Sequence, residues 1–298
     1  MSTRPTWDAL RPLWPNSVHS RFVTAAGVRW HVQIAGTGPV VLLLHGTASA
    51  SFAWRDVLPA LAPFCTVVAP DLPGHGFTAC DDNGALSLLG MARAVRSLLD
   101  ALALEPIVAA GHSAGAAIIA RMSLDGALTA RELVGFSAAL IPPSASALTV
   151  LAPFINPLAT LPVTARAAAA AARIPFIVDG VLRATGSPIS AEQRALYTAF
   201  FTSESHCAAA FAMMANWDVP TLLRDASRLA VPLSLLHGSR DGFIPLPALR
   251  AAIASLSTVS LTVIDGAGHL LPEQRPALAV SAIRDALGRS ELLNTGPR

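Results

Sequence analysis

Residues 107–124 carry the pattern that most restricts the fold. Ile107-Val108-Ala109-Ala110 is a continuous apolar run of strand character. Gly111-His112-Ser113-Ala114-Gly115 follows it, and Ala116 to Leu124 then reads as a helix. A serine with a glycine two residues away on each side, set between a strand and a helix, describes a sharp turn that lifts a hydroxyl clear of a sheet edge. Such a turn strains the serine backbone, so the two flanking positions must be small. The helix behind it aims unpaired backbone N–H groups at the same point. The pattern therefore asks for an α/β architecture and for an exposed, activated serine.

The rest of the chain supplies that architecture. Arg21–Thr24 and Arg29–Ile34 read as a hairpin around Gly27. Val40–Leu44, Thr66–Ala69, Leu133–Phe136, Pro232–Leu236 and Leu261–Ile264 are short apolar runs, as expected for strands buried on both faces. Helical patterns lie between them, at Ser51–Leu61, Ser87–Leu102 (with Ser87 as cap), Pro247–Ala254 and Pro276–Leu287. Strands alternating with helices imply a mostly parallel sheet of eight strands with right-handed crossovers. Residues 142–229 break the alternation with five prolines between Pro142 and Pro162, an alanine run at 167–172 and apolar helical stretches. We read them as a helical cap inserted over the C-terminal ends of the strands. The expected organisation is an N-terminal arm, loosely ordered, at 1–20, a core from 21–141 and 230–298, and a cap at 142–229.

Composition sets the chemical class. Of 298 residues, 53% are hydrophobic and 13% charged, against about 25% charged in ordinary soluble domains. The excess implies an alanine-rich core or a greasy surface that meets lipid, a partner or an apolar ligand. A net charge of +2 gives no footprint for nucleic acid. No window matches the apolar span of a transmembrane helix, and the opening residues lack a secretory leader's apolar core. Three widely spaced cysteines, Cys65, Cys80 and Cys207, suggest reduced thiols and a cytoplasmic setting. Neither a zinc site nor a disulfide framework is expected, and no cofactor or metal is called for.

A nucleophilic serine needs a base, and the base needs an orienting acid. In chain order, Asp241 follows the strand ending at Leu236, and His269 follows the strand ending at Ile264. Loops at successive strand ends converge on one edge of an open sheet. Ser113, Asp241 and His269 are therefore the candidate catalytic set. Backbone N–H groups of Thr47, after the strand Val40–Leu44, and of Ala114 are the candidate oxyanion hole. Asp218 and Asp265 compete with Asp241; the first reads as a helix cap and the second as a turn cap. No carboxylate follows the strand at Leu133–Phe136. His45 and His112 read as turn-shaping residues, and His75 with Asp71 as a loop tie. Trp14, Trp54 and Trp217 are expected to pack core or cap, with Asn216-Trp217 left between packing and lining a pocket.

Taken together, His45-Gly46, Asp71-Leu72-Pro73-Gly74-His75-Gly76, Gly111-His112-Ser113-Ala114-Gly115, the Asp241 loop and Gly268-His269 resemble the α/β-hydrolase superfamily over about residues 20–290. A narrower set resembles the magnesium-chelatase accessory proteins of bacteriochlorophyll biosynthesis: Ser20-Arg21-Phe22-Val23, Arg29-Trp30-His31-Val32-Gln33, Phe77-Thr78, Leu124-Asp125-Gly126 and Met213–Asp218. The resemblance implies an α/β-hydrolase fold with a cap and a place in magnesium-porphyrin synthesis. Two activities are then expected as alternatives. One is a serine hydrolase for an ester, thioester, amide or ketone with an apolar body; a serine nucleophile argues against dehalogenase and epoxide hydrolase chemistry, where an aspartate attacks. The other is a non-catalytic accessory protein that holds a tetrapyrrole or contacts magnesium chelatase or a membrane surface. His206 and Cys207 offer ligand atoms to a porphyrin metal, although a lone cap histidine reads more simply as packing.

Overall fold

A computed structural model describes residues 4–80, 83–141 and 161–292. Its centre is one eight-stranded sheet in the order β1-β2-β4-β3-β5-β6-β7-β8. The strands are β1 (Ser20–Ala25), β2 (Val28–Ala35), β3 (Val40–Leu44), β4 (Thr66–Pro70), β5 (Pro106–His112), β6 (Glu132–Phe136), β7 (Leu233–Gly238) and β8 (Val259–Ile264). β2 pairs antiparallel with β1 and β4, and every other pairing is parallel.

The continuous apolar runs have a simple cause. Successive side chains of a strand point to opposite faces. Leu42 and Leu44 of β3 enter one core with Ala109 and Leu133, while Val41 and Leu43 enter the other with Val108, Ala110 and Val134. Helices α3 (Leu88–Leu102) and α4 (Ala114–Leu124) cover the first face, and α2 (Val57–Leu61) and α12 (Pro276–Leu292) the second. The Ser87 hydroxyl caps α3 by accepting from Gly90 N–H at 3.0 Å.

Four helices stand where the cap was expected, α5 (Pro162–Ala171), α6 (Pro175–Ala184), α7 (Ala191–Phe201) and α8 (Glu204–Ala215), followed by α9 (Val219–Asp225). Residues 142–160, with Pro142, Pro143, Pro153 and Pro157 of that expected cap, lie outside the described residues. A short α10 (Leu246–Ile253) and α11 (Leu271–Gln274) complete the core.

Three local readings change. The helix expected over Ser51–Leu61 is a 3-10 turn at Ser51–Trp54 followed by α2. Pro59 cannot donate to the carbonyl four residues back, so the helix cannot run through; that Arg55 carbonyl accepts instead from Asn16 Nδ2 at 2.9 Å. The N-terminal arm is packed, beginning with α1 (Trp7–Leu10). Trp14 is 3% exposed in an aromatic cluster with Phe52, Phe77 and Phe200. Arm, core loops and cap thus share one apolar knot, which a proline-rich segment without periodicity does not announce. Asp71, third, ties its loop through different partners than His75. Its carboxylate accepts from His31 Nδ1 (2.8 Å) and from the backbone N–H of Ser51 (2.7 Å) and Phe77 (2.8 Å). Burial pushes this carboxyl up, but His31 and the other donors outweigh it and hold it well below the usual carboxylate range.

Candidate active site

Ser113 sits between β5 and α4 with φ +51° and ψ −114°, a conformation side chains rarely adopt. The flanking glycines are dictated by space. A Cβ on Gly111 would run into the Gly115 backbone, and a Cβ on Gly115 would run into the carbonyls of Leu44 and His45. At Gly46 a Cβ would stand 2.9 Å from the Ser113 Cβ.

The two other candidates converge on this hydroxyl from the ends of β7 and β8. Ser113 Oγ lies 3.1 Å from His269 Nε2. His269 Nδ1 lies 2.9 Å from Asp241 Oδ2 and 3.1 Å from Oδ1. Asp241 Oδ1 also accepts the backbone N–H of Phe243 (2.8 Å) and Ile244 (2.9 Å). Burial pushes the Asp241 carboxyl up, yet the attraction and hydrogen bond of His269, with the Ile244 N–H, hold it down at about 2. An ionised Asp241 can only accept, so it fixes the proton of His269 on Nδ1. Nε2 is left as an acceptor facing the Ser113 hydroxyl. Thr47 and Ala114 line the same cavity beside Ser113, and Thr47 Oγ1 donates to Met213 Sδ of α8 at 3.6 Å.

The competing carboxylates stand elsewhere. Asp218 accepts from Thr221 N–H at 3.1 Å and caps α9. Asp265 accepts from the Ser239 hydroxyl at 3.1 Å in the turn after β8. His45 shapes its turn by accepting from Leu72 N–H at Nε2 and donating from Nδ1 to the Gly46 carbonyl, both at 2.8 Å. His206 is fully buried against the rings of His75 and Phe200, and the Cys207 thiol donates to the Phe201 carbonyl. Neither lines the cavity, so neither is placed to ligate a metal held there. Among the described residues, no group of three histidine, cysteine or carboxylate side chains could hold a metal ion. Trp217 lines the cavity, whereas Asn216 is exposed and bonds back to the Ala212 carbonyl at 2.7 Å.

The site rests on contacts that sequence reasoning missed. His112 Nε2 donates to the His269 carbonyl at 2.8 Å. Burial, reinforced by His269, pushes His112 down to about 3, so it is a neutral strut. The turn after α6 holds the next stretch: Thr185 carbonyl accepts His269 N–H at 2.8 Å, and Ser187 Oγ accepts Leu270 N–H at 2.9 Å. The cap thereby helps to position the imidazole.

A second buried cluster joins cap to core. Tyr197 OH of α7 donates to Glu273 Oε1 at 2.6 Å, Gln193 Nε2 donates to Oε2 at 3.2 Å, and Ser49 Oγ lies 3.4 Å from the Tyr197 OH. Burial raises Glu273 to about 7 against the donors and Arg55, which lower it. The unfolded chain releases this proton near 4.5, so between 4.5 and about 7 the folded state binds more protons and stability falls as pH rises. The interval corresponds to about 3 kcal/mol. Glu273→Gln is expected to flatten this part of the pH–stability curve and to raise Tm above pH 7. Chemical denaturation across pH measures it, and an unchanged slope in the variant would refute the assignment.

The cavity over Ser113 measures about 410 Å³, within the 300–1,000 Å³ range of small-molecule sites. Ile141, Leu182, Phe201, Met214, Trp217 and Phe243 are among its walls, and no Asp, Glu, Lys or Arg among the described residues lines it.

Comparison with known proteins agrees with this architecture. The chain is 34% identical over 271 residues to the magnesium-chelatase 30 kDa subunit of Rhodobacter capsulatus, covering 89% of this chain and 93% of that protein. Among solved structures, an esterase from Thermogutta terrifontis superposes with a TM-score of 0.70 at 21% identity, covering 91% of this chain and 98% of the other. A haloalkane dehalogenase from Agrobacterium tumefaciens C58 superposes with a TM-score of 0.74 at 19% identity, covering 91% and 96%. These two likenesses speak to the fold alone. Residues 41–283 match the alpha/beta hydrolase family, and the chain belongs to that family.

Proposed function

We propose that this protein is a serine hydrolase that acts on an apolar, ester-like substrate. The observation that carries the reading is the unbroken relay Ser113 Oγ–His269 Nε2 (3.1 Å) and His269 Nδ1–Asp241 Oδ2 (2.9 Å) on the wall of an uncharged cavity. Ser113 Oγ attacks the substrate carbonyl carbon while its proton passes to His269 Nε2. The Thr47 and Ala114 N–H groups hold the oxygen that becomes negative. His269 gives the proton to the leaving group as the carbon–heteroatom bond breaks. Water, deprotonated by the same imidazole, then cleaves the acyl-serine and restores the hydroxyl. Asp241 keeps the imidazole in the required tautomer and stabilises its cation.

The substrate class follows from the walls. A carboxylate or an amine would meet no opposite charge inside, and the desolvation cost would stand uncompensated. Similarity to a protein named as a magnesium-chelatase subunit supports a role in magnesium-porphyrin and bacteriochlorophyll synthesis. It also supports a second reading, in which the protein binds a tetrapyrrole as an accessory to the chelatase and hydrolysis is secondary. Within the cavity His112 is bonded to the His269 carbonyl and His269 to Asp241, so a bound porphyrin would be held by apolar contact.

A fluorophosphonate probe tests the first reading. The wild-type protein is expected to be labelled once, at Ser113, and Ser113→Ala is expected to stay unlabelled while folded. Titration with protoporphyrin, followed by Soret shift and tryptophan quenching, tests the second. Absent labelling together with a saturable porphyrin response would favour the accessory role.

A further inference from the structure

The cap presents an apolar surface that the hydrolase reading leaves unused. Helix α5 turns Ala165 and Ala169 inward, into a cluster with Cys207, Ala210 and Phe211 of α8. Its opposite side carries Val163, Ala167 and Ala170, and Ile174 continues that line past its end; all four are exposed. The spacing i, i+4, i+7, i+11 sets them in a single stripe. Val163 is 63% exposed, and in the turn into α6 Phe176 is 66% exposed. A cap helix facing water ordinarily places charge on its outer side. This one carries a single charged residue, Arg166, over ten residues, or about 15 Å, and its outer stripe is apolar.

Arginine is in excess around the stripe. Arg166, Arg173 and Arg183 are exposed on or beside these helices, and no acidic residue occurs in the sequence between Glu132 and Asp179. Two carboxylates beside these helices are paired, Asp179 with Arg194 at 3.4 Å and Glu204 with Arg166 at 3.3 Å, which leaves Arg173 and Arg183 without an ion pair among the described residues. Exposed aliphatic and aromatic groups flanked by arginine are the pattern of a segment that settles at the boundary between headgroups and acyl chains. A second copy of the same surface would bring Arg173 and Arg183 against their own kind, with Asp179 and Glu204 already paired. We infer that the stripe Val163–Ile174 with Phe176 is a docking face for an anionic phospholipid bilayer. No helix among the described residues is long and apolar enough to cross a membrane, so the contact is peripheral. Helix α6 begins at the exposed turn and ends at Val181, Leu182 and Thr185 on the cavity wall.

The test is co-sedimentation of the full chain with vesicles of phosphatidylcholine alone and of equimolar phosphatidylcholine and phosphatidylglycerol. Wild-type protein is expected to bind the mixed vesicles and to be released by salt. Ile174→Asp with Phe176→Asp is expected to weaken that binding by about tenfold or more. Arg173→Gln is expected to weaken it by roughly fivefold, on anionic vesicles only. Circular dichroism and Tm serve as folding controls, and both are expected to stay unchanged because the altered side chains are exposed. No binding by the wild type, or equal binding by the double variant, overturns the inference. A concentration-dependent dimer in sedimentation equilibrium that the double variant abolishes also overturns it, by assigning the face to a second copy.

Discussion

Ser113→Ala is expected to lower kcat for a neutral apolar ester by a factor on the order of 10⁵ to 10⁶ while leaving KM nearly unchanged. The hydroxyl is the only atom lost, and the cavity that binds the substrate keeps its walls. A residual rate of about 10³ over water is expected to survive, because the proposed oxyanion donors, the Thr47 and Ala114 N–H groups, do not depend on the serine side chain. Steady-state turnover of an ester series, with burst kinetics to expose the acyl-enzyme, provides the measurement. A variant that keeps kcat within tenfold of wild type would mean that another group carries the reaction.

Asp241→Asn is expected to cost about 10⁴ in kcat at neutral pH with little change in Tm. The reason lies in how the carboxylate is held. Oδ1 accepts two backbone N–H groups, from Phe243 and Ile244. An asparagine keeps those bonds only with its oxygen at that place, so its NH₂ must face His269 Nδ1. A donor there forces the imidazole proton onto Nε2, and Nε2 can then no longer accept from Ser113. Fluorophosphonate labelling should slow by a comparable factor. With the wild-type carboxyl held at about 2, acid titration of Asp241 should not limit activity until pH approaches that value. Full activity in the asparagine variant would remove Asp241 from the relay and leave His269 oriented by other means.

Much of this site was readable before any coordinates. The turn around Ser113 is a local matter, because two glycines and a strained serine declare a backbone that few other structures require. The strands were equally plain, since β3, β5 and β6 are buried on both faces and carry almost no polar residue to obscure them. Asp241 and His269 could be nominated from their places after the last two strands, although Asp218 and Asp265 remained rivals until distances separated them. The break at Arg55-Asp56 was written in Pro59, whereas the taker of the freed carbonyl, Asn16, lies 39 positions away along the chain. Trp14 could be read as packed, but its partners could not; they, the His112 strut beneath His269 and the Tyr197–Glu273 pair joining cap to core left no trace in any window.

By itself, the order of residues determined the sheet, the elbow and the chemical kinds of the candidate site groups, because periodicity, glycine geometry and side-chain chemistry act over a few neighbours. Only the tertiary structure decided which carboxylate meets the imidazole, which cap residues wall the cavity and where an apolar stripe is left facing outward. Those outcomes depend on how segments from tens to more than a hundred residues apart pack together, and hydrophobic burial, being non-directional, leaves that choice to the shape of the whole chain.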